Sequence, residues 1–179
     1  LILGPVLVAF FVFMKLVIVL LYSQRFIPII SMISWAALGM YFRAASWSIA
    51  FLFLAKGASR LFFWNEFLTN IYVLLLNIAG YYWSGLTGLG VSFLVVYVIY
   101  LLQVYFVSKM KYGFEFTPAF WVIFCVQIVI GMSCFIVVSY CQPLWSYIIG
   151  CILLIISSWF SIKQLDKRMG LKSILSKLI

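Results

Sequence analysis

The sequence predicts an all-α polytopic integral membrane protein, a helical bundle of about six transmembrane helices. The first observation is composition: 68% of the residues are hydrophobic and 8% charged, whereas a soluble domain carries roughly a quarter charged residues. The second is that the apolar runs repeatedly reach the roughly 20 residues needed to cross a hydrocarbon core. The third is that the basic residues gather in alternate loops, as they do when loops alternate between the two sides of a membrane.

The spans are expected at residues 3–22, 28–55, 61–81, 86–107, 118–140 and 143–161. Pro28 and Pro118 stand where the first turn of a helix accepts proline, and Pro143 opens the sixth run after the break CQP. The segment GYYWSG, residues 80–85, separates the third run from the fourth. The glycines of SGLTGLGVSF, residues 84–93, lack the lysine of a phosphate-binding loop and are read as close-packing positions. Trp and Tyr lie close to the span ends, where amphipathic rings settle among headgroups. These spans form a bundle over residues 1–162, followed by a basic tail, 163–179, that fixes orientation and can lie along an anionic leaflet.

Lys56, Arg60, Lys109, Lys111, Lys163, Lys167, Arg168, Lys172 and Lys177 share one side by parity, while the opposite loops hold Arg25. By the positive-inside rule the first side is cytoplasmic and so is the C-terminus. The net charge of +9 is thus a topology signal, and no nucleic-acid partner is inferred. The chain has no histidine, which removes the commonest general base and the common zinc ligand sets. The carboxylates Glu66, Glu115 and Asp166 form no acid/base or metal-binding cluster, so an enzyme is not expected, nor a cofactor or metal. Cys125, Cys134, Cys141 and Cys151 fit neither a zinc motif nor a disulfide framework and are read as packing residues. The chain starts inside the apolar run LILGPVLVAFF without an initiator Met, and is expected to be part of something longer.

Polar residues within the spans carry the functional reading. Arg43 falls near the middle of the second span, where an embedded cation costs about 2.5–3.5 kcal/mol on insertion scales. Its helical neighbours Ala36, Gly39, Met40, Ser46, Trp47 and Ala50 form a small, weakly polar stripe that suits protein or a cavity better than lipid. Arg43 is therefore a candidate cavity cation for an anionic substrate, its planar fork matching phosphate. The alternative is a structural partner elsewhere. Lys15, in the first span, is a second candidate, although it lies close enough to the outer end to snorkel. Glu66, Asn70 and Asn77 share one helical face by their spacing and are candidate cavity-lining groups. They serve otherwise as interhelical glue, with Glu66 either a proton-coupling carboxylate or paired with Arg60 or Lys56 at the surface. Gln127, with Gly131 and Cys134, makes a fainter stripe, and Gln103 lies near the cytoplasmic end of the fourth span.

The stretches LYSQRF, LGMYFRAASW and GLTGLGVSF, in that order and spacing, resemble the C-terminal half of bacterial O-antigen translocases. These are the polysaccharide flippases of the multidrug, oligosaccharidyl-lipid and polysaccharide exporter superfamily. The resemblance covers nearly the whole chain. It implies one lobe of a two-lobe exporter in the bacterial cytoplasmic (inner) membrane. Such an exporter flips an undecaprenyl-diphosphate-linked oligosaccharide to the outer leaflet by alternating access coupled to an ion gradient, and cationic cavity residues typify it: Arg43 matches that role by position and Lys15 less closely. The implied partners are the lipid-linked substrate, membrane lipids, an N-terminal lobe that this sequence lacks, and a polysaccharide polymerase. The alternatives are an ion-coupled multidrug exporter, which would need buried carboxylates, and a non-transporting scaffold of envelope assembly.

Overall fold

The computed structural model describes residues 1–22 and 24–169. The second half of the basic tail, with Lys172 and Lys177, lies outside the described residues. Five α-helices follow one another: α1 (Leu3–Leu21), α2 (Ile29–Ala55), α3 (Ser59–Tyr112), α4 (Pro118–Tyr140) and α5 (Pro143–Met169), with a 3-10 turn at Gln24–Phe26. Each of the five is long and apolar enough to cross a membrane. The first part of the basic tail is helical, since α5 runs on to Met169.

The 54 residues of α3 would extend about 80 Å as a straight helix, far beyond a bilayer core of about 30 Å. The helix does not run straight. Ser84 (φ −142°, ψ 23°) and Gly85 (φ 57°, ψ −132°) leave helical geometry, and Gly85 supplies the positive φ that a side chain disfavours. The chain folds back there into a first arm, residues 59–83, and a second arm, residues 86–112. Ser92 Oγ donates to Asn77 Oδ1 at 2.7 Å and Gln103 Nε2 to Asn65 Oδ1 at 2.7 Å, contacts that pair the arms in antiparallel register. Near the tip the backbones approach so closely that a Cβ on Gly88 would lie 1.8 Å from the carbonyl oxygen of Gly80. The six expected spans therefore occupy five helices, two of them in α3.

The chain divides into two compact units. One comprises Ile18–Pro118 and is built on α2 and both arms of α3. Here α2 runs parallel to the second arm: Ser31 meets Thr87 at 2.8 Å, and Phe53 meets Tyr112 with ring centroids 6.2 Å apart. Small residues permit this contact. A Cβ on Gly90 would lie 2.4 Å from the Met32 carbonyl oxygen, and one on Gly39 would lie 3.1 Å from Leu94 Cα. Lipid tails are as apolar as the helices, so association rests on such close van der Waals fit and on interhelical hydrogen bonds. Ile49, Phe53, Val96, Tyr100 and Val104 are fully buried in this core. The helix directions put Lys56, Arg60, Lys109 and Lys111 at one end of the unit and the exposed aromatics Tyr82 and Trp83 at the hairpin tip.

The other unit takes Leu1–Val17 and the chain from Ala119 onward. Phe11 of α1 meets Phe135 of α4 edge-on at 6.3 Å. Val12 of α1 fills the space beside Gly150 of α5. Val8, Phe11 and Cys134 are fully buried, while Cys125, Cys141 and Cys151 are exposed.

Candidate functional site

Arg43 stands at the middle of α2, about 20 Å of helix from either end. On its own helix, Gly39, Ser46 and Ala50 are buried, and Arg43 itself is half-buried at the edge of that packed face. What it meets across the interface follows from the glycine one turn earlier. Gly39 lets α2 come against Phe93 and Leu94 of the second arm of α3. Because the two helices run parallel, one further turn on each brings Arg43 level with Tyr97.

The guanidinium carbon lies 4.6 Å from the centre of the Trp47 ring and 5.3 Å from that of Tyr97. Nη1 also points at Met40 Sδ, 4.0 Å away, a weak acceptor. Among the described residues no carboxylate stands within 4 Å of it. Phe93 and Trp47 extend the aromatic surround, Phe93 against Tyr97 at 4.6 Å and Trp47 against Phe51 at 6.0 Å. Ser46 turns its hydroxyl onto the Arg43 carbonyl at 2.9 Å, within the helix, and so leaves the guanidinium alone.

Glu66 is the nearest acidic group in the interior of this unit, and it is engaged elsewhere. The buried Tyr100 hydroxyl donates to Glu66 Oε1. Tyr97, which meets the cation, and Tyr100, which meets the carboxylate, contact each other edge to face at 6.2 Å, and among the described residues the cation and the carboxylate form no ion pair. The surface pairing of Glu66 with Arg60 or Lys56 that the sequence leaves open is replaced by this contact across the hairpin.

The other candidates fall in different surroundings. Asn77 is half-buried and accepts from Ser92. Asn70 is exposed on the outside of the first arm, and the inward positions belong to Asn65 and Thr69, both buried. Gln103 donates to Asn65 Oδ1, and Thr69 Oγ1 bonds back to the Asn65 carbonyl at 2.7 Å. Asn65 Nδ2 is left buried without a partner. Lys15 belongs to the other unit, where it is exposed on α1.

Gln127, also in that unit, is a closed knot. Its Oε1 accepts from Ser157 Oγ at 2.8 Å, its Nε2 donates to Ser161 Oγ at 2.9 Å, and Gly4 of α1 packs directly onto the amide. Buried and with both ends of the amide engaged, Gln127 joins α1, α4 and α5.

Tyr97 and Tyr100 are the functional residues that the polar and charged positions of the sequence do not disclose. A signal existed. Phe93, Tyr97 and Tyr100 share one helical face by spacings of four and three, in register with the glycines that mark the close-packed side of the second arm.

Compared with protein-family models, with curated proteins and with solved structures, the chain matches none.

Proposed function

We propose that this chain is the C-terminal bundle of a flippase for lipid-linked oligosaccharides, of the O-antigen translocase type, in the bacterial cytoplasmic membrane. The observation that carries the reading is Arg43: a permanent cation in the body of a membrane-crossing helix, held by aromatic rings and not neutralised by a carboxylate. An embedded guanidinium is costly, and a chain that only needed a structural contact at this depth would be served by an apolar side chain. A diphosphate-linked lipid presents the converse problem, since its charge cannot cross hydrocarbon unaided. A fixed cation at depth addresses it, and the guanidinium fork offers paired donors to phosphate oxygens.

The basic ends of the helices support a cytoplasmic placement for the α2–α3 loop, the α3–α4 loop and the end of α5. The cation-exporting alternative draws less support. It calls for a carboxylate open to organic cations, and Glu66 already accepts from Tyr100 inside the hairpin.

The test is complementation of a flippase-null strain by the full-length protein carrying Arg43→Ala or Arg43→Lys, with expression matched. Loss of surface polymer in the alanine variant, with partial recovery in lysine, is expected. Normal polymer from both variants removes the reading.

A further inference from the structure

We propose that Tyr97 and Trp47 are positioning residues for Arg43: their ring faces hold the guanidinium at depth while leaving its charge and N–H edges for a phosphate of the anionic lipid. The inference rests on the flippase reading above and names how its cation is kept usable. A bare guanidinium at the middle of a span swings toward the nearest water or carbonyl, because solvation at the bilayer centre is poor. A carboxylate would anchor it, but would also take two of its donors in a bidentate pair and cancel the charge a substrate needs.

Aromatic faces do the first without the second. The ring quadrupole attracts the cation, yet a ring accepts no bidentate pair, so the five N–H donors of the fork stay in play. The arrangement around Arg43 follows this logic. Trp47 comes from the same helix one turn away, and Tyr97 comes from the second arm of α3, so the guanidinium is fixed from two helices. Among the described residues the partner of Nη1 is the Met40 thioether at 4.0 Å, too weak an acceptor to compete with phosphate. The carboxylate that would compete, Glu66, accepts from the Tyr100 hydroxyl and forms no ion pair with Arg43.

The experiment uses the full-length protein in nanodiscs of phosphatidylcholine, titrated with a C15 prenyl diphosphate and, as the uncharged control, with the corresponding prenyl alcohol. Tyr97→Phe and Trp47→Phe keep a ring face and are expected to bind the diphosphate within about twofold of the unaltered protein. Tyr97→Leu and Trp47→Leu are expected to weaken it roughly 3- to 30-fold, the range of a partly desolvated cation–π contact, with binding of the alcohol unchanged. Trp47 is 44% exposed, so Trp47→Leu reports even where Tyr97→Leu lowers the thermal midpoint. Diphosphate affinity lost in Arg43→Ala but unaltered in both leucine variants overturns this inference and leaves the flippase reading standing. Affinity unaltered in Arg43→Ala removes both.

Discussion

In the unit of α1, α4 and α5, the amide of Gln127 is satisfied at both ends by Ser157 and Ser161. In the unit of α2 and α3, the guanidinium of Arg43 is braced by Trp47 and Tyr97 and retains most of its donors. Both side chains are polar groups in membrane-crossing helices, and composition alone does not separate them. Their partners do. A group whose hydrogen-bonding capacity is consumed by its neighbours is glue between helices, whereas one that is held but not consumed can receive a ligand.

The largest effect that bears on this contrast is expected at the hairpin. Gly88→Val puts side-chain atoms into the backbone of Gly80, and overpacking against backbone cannot be relieved by a rotamer change. The α2–α3 unit should lose its fold, at a cost on the order of 3 kcal/mol or more. Hydrogen exchange should then rise over residues 29–112 while the helices joined at Gln127 keep their protection. Equal loss of protection throughout would mean that the two regions do not stand apart in stability.

The next effect sets the two polar groups directly against each other. Gln127→Leu strands the Ser157 hydroxyl, while Ser161 keeps its bond to the Leu1 carbonyl at 2.9 Å, and should lower stability by about 1–2 kcal/mol, with transport per folded molecule unchanged. Arg43→Leu should abolish transport with no loss of thermal midpoint, since the substitution removes a costly charge. The contrast breaks if the two variants exchange these behaviours.

Smaller still is Asn77→Leu, which removes the one bond from Ser92 that crosses the hairpin there. An interhelical hydrogen bond in a membrane averages about 0.6 kcal/mol, and Ser92 keeps a bond to the Leu89 carbonyl at 2.9 Å. A thermal midpoint lowered as far as in Gln127→Leu would put Asn77 on the structural side of the contrast with the same weight. The smallest is Lys109→Gln, at the exposed pair with Glu115, 3.2 Å apart. Exposed ion pairs contribute about 0–1 kcal/mol, so the midpoint should barely move at moderate salt.

Six apolar runs long enough to cross, their boundaries at Pro28, Pro118 and Pro143, and a break within residues 80–85 were legible in the sequence because each depends on local chemistry. Apolar length, the missing proline N–H and the permissive glycine backbone act within a few residues of themselves. Arg43 was legible as a candidate for the same reason, since a cation within an apolar run is visible without any neighbour. The inward face of the first arm was legible only in part, since Glu66 and Asn77 do meet the second arm. Asn65, Glu66, Thr69 and Asn70 are two pairs of adjacent polar residues, and adjacent positions differ by about 100° around a helix. Spacing alone selected Glu66 and Asn70, whereas packing buried Asn65 and Thr69.

The amino-acid sequence by itself determined that this chain is helical, how often it can cross a membrane and where its charges cluster, because those properties follow from transfer free energy and backbone chemistry along a single segment. Only the tertiary structure decided that Arg43 meets Tyr97 and that Glu66 meets Tyr100. Those meetings join residues dozens of positions apart, and they depend on how closely Gly39 lets α2 approach the second arm of α3, and Gly80 and Gly88 the two arms of the hairpin.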